Sequence, residues 1–315
     1  MWVLPFLALG AWERLDDSEL STFFTPDEVM GITHQSCGPD KWISGTTQNS
    51  PLYKSRGAYL SYATGPCCPN GHTYGWFGKE HNNTEALRKV HVHNGIRTQP
   101  FQMARLLQCT PPTTAFVGDS TMIQFYYAYF CGILRLGGSV TSCYIPRKSH
   151  YEHRACTKST SLNATLTLKG TTYTLVYHPE PPADTNADRV FMNKGLHLKH
   201  NKITAFVTSL FTLPYLRNIV WKQTVIQHFP GSSGLYEKRE QGPCALRVSP
   251  DMSKQEITKK AIDDVMPYIS LKEIEIDSGH LFPLQNGKSD CTHRIYTPLY
   301  YDAIFAVFAH HLCFS

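Results

Sequence analysis

Three short polar islands interrupt otherwise apolar stretches of this chain, and each carries residue types that do chemistry. In "TTAFVGDSTMIQFYYAYF" (113–130), Gly118-Asp119-Ser120 stands where the hydrophobic pattern should run on. A serine between a strand and a helix has its hydroxyl at the rim of a sheet. Its amide belongs to the free N–H groups of a helix start, which favour an oxyanion. The plain alternative is a cap, since Asp and Ser are ordinary N-cap residues. In "FMNKGLHL", Asn193, Gly195 and His197 follow the strand-like "RVFM". An asparagine amide and a glycine amide there suit an oxyanion, or simply a turn. In "NGKSDCTHRIY", Asp290 precedes His293 by three residues, so one turn can present both. His then acts as general base while Asp fixes its tautomer and stabilises the imidazolium. Thr224 and His228 in "NIVWKQTVIQHF" follow another strand and are expected at the same rim, with Trp221 and Phe229 in the core. Tyr236 in "PGSSGLY" could line an acceptor groove or a surface turn.

The elements that must position these residues read as alternating strands and helices. Strands are expected at 113–117, 171–177, 189–192, 218–221 and 274–276, and helices at 121–134, 201–211 and 253–268, with a last amphipathic helix in "YYDAIFAVFAHHL". That alternation argues an α/β fold with a central parallel sheet covered on both faces. In such sheets ligands bind beyond the carboxyl ends of the strands, where all the islands above fall. Residues 1–110, rich in Gly, Pro, Ser, Asn and Cys, read as an irregular, disulfide-pinned segment.

Composition bounds the function. With 315 residues, 42% apolar and 17% charged, the chain can build a large core. A net charge of +5 without a long basic run gives nucleic-acid binding no support. Fifteen histidines form no zinc-type spacing; His91/His93 and His310/His311 read as surface or terminal packing residues, and no metal is expected. Ten scattered cysteines suit structural disulfides of an oxidising compartment. The sequons at Asn82 and Asn163 agree with that reading. The apolar start, "MWVLPFLALGAWERL", is too short to span a bilayer at about 20 residues. It fits a degenerate signal peptide, the remnant of a signal-anchor that would attach the chain to a membrane, or an ordinary apolar terminus.

Taken in order, these motifs resemble the trichome birefringence-like proteins within the PC-esterase group of GDSL/SGNH-type acyl enzymes. The resemblance rests on "CGPDKWISG…SPLYKSRGAYLSY" (37–62), "AFVGDSTM" (115–122), "NKGLH" (193–197), "WKQTVIQHF" (221–229) and "SDCTHRIYTP" (289–298). It covers roughly residues 37–313. Arg294, Ile295 and Tyr296 stand where the plant pattern has Trp and another Cys, Lys222 replaces an Arg, and the basic-aromatic stretch before the GDS block is reduced. The resemblance implies a three-layer α/β/α SGNH-hydrolase-like domain over 111–315. Before it would lie a Cys-rich segment (21–110) and a signal or anchor remnant (1–20). It implies Ser120 as nucleophile, His293 as base and Asp290 as orienter, with the Asp119 carboxylate holding the nucleophile loop and Gly118 and Asp119 counted among the oxyanion-hole or substrate-binding residues. The Ser120 amide and Asn193, with Gly137 or Gly138, would form the oxyanion hole. Gly195, His197, Thr224 and His228 would line the site. The implied reaction is O-acyl, most simply O-acetyl, transfer through an acyl-serine to a glycan or polysaccharide hydroxyl. The donor would be acetyl-CoA or an acetylated carrier, used as co-substrate with no bound cofactor. A monomer in the Golgi lumen, or a secreted one, is expected. Two alternatives share the motifs: a carbohydrate or lipid acylesterase, and a non-catalytic glycan-binding relative.

Overall fold

The computed structural model describes residues 10–23, 89–144, 162–231, 235, 243–246, 250–262, 264–281, 291–294 and 297–314. In chain order come β1 (Ala11–Arg14), α1 (Asp17–Phe23), β2 (Lys89–His93), β3 (Ile96–Arg97), α2 (Met103–Cys109), β4 (Thr113–Gly118) and α3 (Ser120–Arg135). Next are β5 (Ser139–Tyr144), β6 (Leu162–Leu168), β7 (Thr171–His178), β8 (Arg189–Asn193) and α4 (His200–Leu210). The chain closes with β9 (Ile219–Lys222), α5 (Ser253–Ile262), β10 (Tyr268–Ile269), α6 (Lys272–Leu281) and α7 (Pro298–Phe314).

Seven strands form one sheet in the order β10-β9-β8-β4-β7-β6-β5. The strands from β10 to β7 pair in parallel, so the expected parallel sheet is present in that part and the whole is mostly parallel. It is not parallel throughout, because β5, β6 and β7 form an antiparallel meander at one edge. The meander's signal is local: Ala164, Leu166 and Leu168 are buried at period two, and a two-residue turn, Lys169-Gly170, leads into β7 with both residues at positive φ.

Alternation along β4 divides the core. Phe116 packs with Phe125, Tyr129, Phe191 and Phe308 under α3 and α7. Ala115 and Val117 point the other way, into a second cluster with Val190, Trp221 and the α4 residues Ile203, Val207 and Leu210. Helices thus cover both faces of the sheet. Trp221 and Phe229 are buried, as expected.

Other expectations are corrected. Ile274–Ile276 is not a strand but the first turn of α6; "IEI" is too short for its alternation to decide. Acidic Glu273 and Glu275 in that turn suit a helix start. The helix from Ser253 stops at Ile262, and the strand beyond it is Tyr268–Ile269. The N-terminal region is not irregular in its described parts, since β1, β2 and β3 form an antiparallel sheet. That sheet docks on α6 and α7: Trp12 stacks on Tyr300 and its Nε1–H donates to Ile274 O at 3.4 Å. His91 is therefore buried there and is not a surface residue. Cys37, Cys67, Cys68, Cys156, Asn82, Tyr236, Asp290 and the 37–62 motif lie outside the described residues.

Candidate active site

The serine end is built from backbone. β4 lies at the point where the chain, having turned to one side through β7, crosses back to β8, so its carboxyl end opens on the switch point of the sheet. Register places its last residue, Gly118, beside Asn193. Gly118 has φ +147°, and a Cβ there would lie 1.7 Å from Asn193 O, so no side chain fits. The Tyr177 hydroxyl, from β7, donates to Gly118 O at 2.7 Å and holds the turn from the other neighbour. Asp119 caps α3: its Oδ1 accepts from Thr121 N–H at 2.9 Å and from the Thr121 hydroxyl at 2.6 Å. Ser120 is then the first residue of a 16-residue helix, partly exposed, while the residues after it are buried.

Across this turn, His293 Nε2 lies 2.7 Å from Ser120 Oγ, joining residues 173 apart in sequence. The histidine end is built from side chains. Arg294, which follows, is 1% exposed, and all its N–H groups find acceptors. Nε donates to Ser278 Oγ at 2.8 Å, and Nη1 to Thr292 O at 2.7 Å and Cys291 O at 3.3 Å. Nη2 donates to Ile226 O at 2.7 Å and to Glu275 Oε2 at 3.1 Å. One guanidinium therefore folds back on the carbonyls of its own loop and fastens them to α6 and to the segment after β9. The Cys244–Cys291 disulfide ties the same loop two residues before His293.

Charge in this cluster is balanced by pairing. Burial acts to raise the Glu275 carboxyl, but Arg294 and then Lys222, with hydrogen bonds from Tyr300 and Ser278, hold it below its ordinary value. The Tyr300 hydroxyl donates to Glu275 Oε1 at 2.6 Å. Burial lowers the Lys222 ammonium. Lys254, at the start of α5, donates to Leu196 O at 3.0 Å; its pKa is lowered by burial, against the opposing charge of Asp119.

The remaining expected residues divide. Asn193 is fully buried and commits both amide hydrogens, to Lys222 O at 2.8 Å and Thr224 Oγ1 at 3.3 Å, while its Oδ1 accepts from Gly195 N–H at 3.3 Å. It clamps β8 to β9, and an oxyanion could use it only by displacing the longer Thr224 bond. Gly195 is fixed by close approach, since a Cβ would meet Thr224 Oγ1 at 2.1 Å. His197 is exposed at the end of this island.

His228 does not face the rim. It is 0% exposed, with Nε2 at 2.8 Å from Glu275 O and Nδ1 at 3.2 Å from Ala245 O. Burial lowers it to about 4, so the ring is neutral at neutral pH and donates its single N–H to one of these two carbonyls. Its own backbone joins Cys291 O and Ala245 N, which makes it a core hub beneath the histidine loop. Gly137 and Gly138 follow the far end of α3, 16 residues on, about 24 Å from Ser120 at 1.5 Å per residue. They take no part in an oxyanion hole there. Sequence reasoning missed Gln124, Glu275 and Lys254, and it noted Arg294 and Lys222 only as departures from the family pattern.

Comparison with protein families, curated proteins and solved structures finds no match for the chain. Two disulfides, Cys109–Cys313 and Cys244–Cys291, are formed among the described residues, and Cys131 is disulfide-bonded as well. They fit a secreted or lumenal protein. Among the described residues no helix is long and apolar enough to cross a membrane. Asn163 is exposed on β6.

Proposed function

We propose that the protein is a serine acyl enzyme of the SGNH type, an O-acyltransferase that moves an acyl group, most simply acetyl, to a glycan hydroxyl. The observation that carries this reading is the 2.7 Å approach of His293 Nε2 to Ser120 Oγ at the carboxyl edge of the sheet. With its proton on Nδ1, His293 accepts the Ser120 hydroxyl proton at Nε2 as Oγ bonds to the acyl carbon of a thioester or ester donor. The carbonyl oxygen, now negative, faces the Ser120 N–H at the start of α3. The intermediate then expels the donor's thiol or alcohol, which takes the proton from Nε2. In the second half an acceptor hydroxyl gives its proton to Nε2 and its oxygen attacks the acyl-serine. Oγ leaves and recovers the proton. Asp290 is the candidate orienter of the imidazole. A lumenal site in the Golgi, or a secreted form, with an anionic thioester or an acetylated carrier as donor, completes the proposal.

The test is acetyl transfer from labelled donor to a panel of glycans, beside Ser120→Ala and His293→Ala. Serine-dependent acetylated glycan is expected, with kcat falling about 10⁴-fold or more in either variant. Free acetate alone with glycan in excess would make the protein an esterase. No serine-dependent turnover would leave a glycan-binding relative.

A further inference from the structure

Gln124 stands four residues after Ser120, so the two share one face of α3. It is 4% exposed, and its carboxamide lies against the backbone of Arg294, the residue after His293. Gln124 Nε2–H donates to Arg294 O at 2.9 Å, and Arg294 N–H reaches Gln124 Oε1 at 3.4 Å. The carboxamide thus pairs with a peptide backbone much as a neighbouring strand would. Resting on the acyl-enzyme reading, we propose that Gln124 is a positioning residue that sets the reach between Ser120 and His293.

The argument is one of reference frames. Through its guanidinium, Arg294 fastens the 291–294 loop to Ile226, Glu275 and Ser278, none of which belongs to α3. Those bonds fix the loop in the protein but not against the nucleophile. Gln124 ties the same loop directly to the helix turn that carries Ser120. Serine has a single side-chain torsion before its oxygen. The 2.7 Å separation therefore depends on how the loop backbone sits on this turn. A Gln that merely fills its buried site would contribute stability alone, whereas a positioning Gln controls the proton transfer.

The two roles separate experimentally on the full chain, with p-nitrophenyl acetate as acyl donor and a fluorophosphonate as Ser120 label. Gln124→Leu removes both bonds at similar volume. A loss of about 10²-fold in kcat, the scale of a 1 Å misplacement, is expected with KM little changed, and labelling should slow in proportion. In Gln124→Glu an ionised carboxylate opposes Arg294 O, while a protonated one donates to it. Burial places that titration in reach by raising the carboxyl. The ratio of Gln124→Glu to wild-type kcat should therefore rise as pH falls from 8 towards 5.5. A folded Gln124→Leu with kcat within about threefold of wild type would overturn the proposal. A flat pH ratio for Gln124→Glu would do the same, and it decides the matter alone if Gln124→Leu does not fold. Wild type without Ser120-dependent reaction towards either probe would instead sink the acyl-enzyme reading, and the positioning role with it.

Discussion

Ser120 stands on a turn fixed by backbone geometry, whereas His293 stands in a loop fixed by buried side chains. On the serine side a glycine with no room for a Cβ, a tyrosine on a neighbouring strand and an Asp cap act within a few residues or one strand spacing. On the histidine side the fixing groups come from residues 226, 275, 278 and 244, brought in by the fold as a whole. The difference teaches that the two halves of one hydrogen bond can fail separately. A turn resists loosening until its own backbone is disturbed, while a side-chain-held loop depends on charges far from it in sequence.

Four experiments press on that contrast. The largest effect is expected from Arg294→Met, which leaves Glu275 buried without its main partner. About 3–5 kcal/mol of stability should go, read as a lower urea midpoint, together with most of the activity. Adding Glu275→Leu should restore much of the stability and little of the activity, because the loop carbonyls stay unheld. Gly118→Ala attacks the serine side, forcing a Cβ against Asn193 O at φ +147°, and should cost about 3 kcal/mol. Its damage should appear in the exchange of β4 and β8 amides and spare the 291–294 loop.

Acid should distinguish the sides next. His228 has a folded pKa of about 4 against 6.5 unfolded, so below pH 6.5 the unfolded chain binds a proton that the folded chain refuses. The stability it contributes is full above pH 6.5 and is lost as pH falls towards 4, by up to about 3 kcal/mol. His91, also lowered to about 4 by burial, adds to the slope from the N-terminal sheet. Equilibrium unfolding between pH 7 and 4 should show this slope, reduced in a folded His228→Gln. The smallest effect is that of Asp119→Ala, which removes the cap for about 1 kcal/mol and should lower Tm by only a few degrees.

The same contrast explains what could be read in advance. "VGDST" announces its structure locally: an apolar strand, a glycine that allows close approach, a capping Asp and a helix. Thr113–Gly118 and Ser120–Arg135 follow within a residue or two of expectation. His228 and Arg294 show no such local signal. A histidine after a strand looks like a rim residue until Gly279, 51 positions on, packs where its own Cβ would overlap the His228 ring. Outside its own loop the partners of the Arg294 guanidinium are 16 to 68 residues away, and that of Gln124 is 170 away. No window of sequence contains such pairs. The β5 and β6 strands were missed although Ala164, Leu166 and Leu168 alternate, and Ile274–Ile276 was misread because three residues carry no period.

The Cys109–Cys313 bond spans 204 positions and joins α2 to the last helix. Every strand of the large sheet, Ser120 and His293 all lie between its ends, so this part of the chain is a closed covalent ring. Closing a ring of that size removes about 5 kcal/mol of freedom from the unfolded chain on the loop-entropy account. A ring also survives a cut. A protease that nicks one exposed turn within it opens the ring without releasing a piece, and serine and histidine remain parts of one molecule. On a gel such a nicked protein migrates as a single species until reductant separates its fragments.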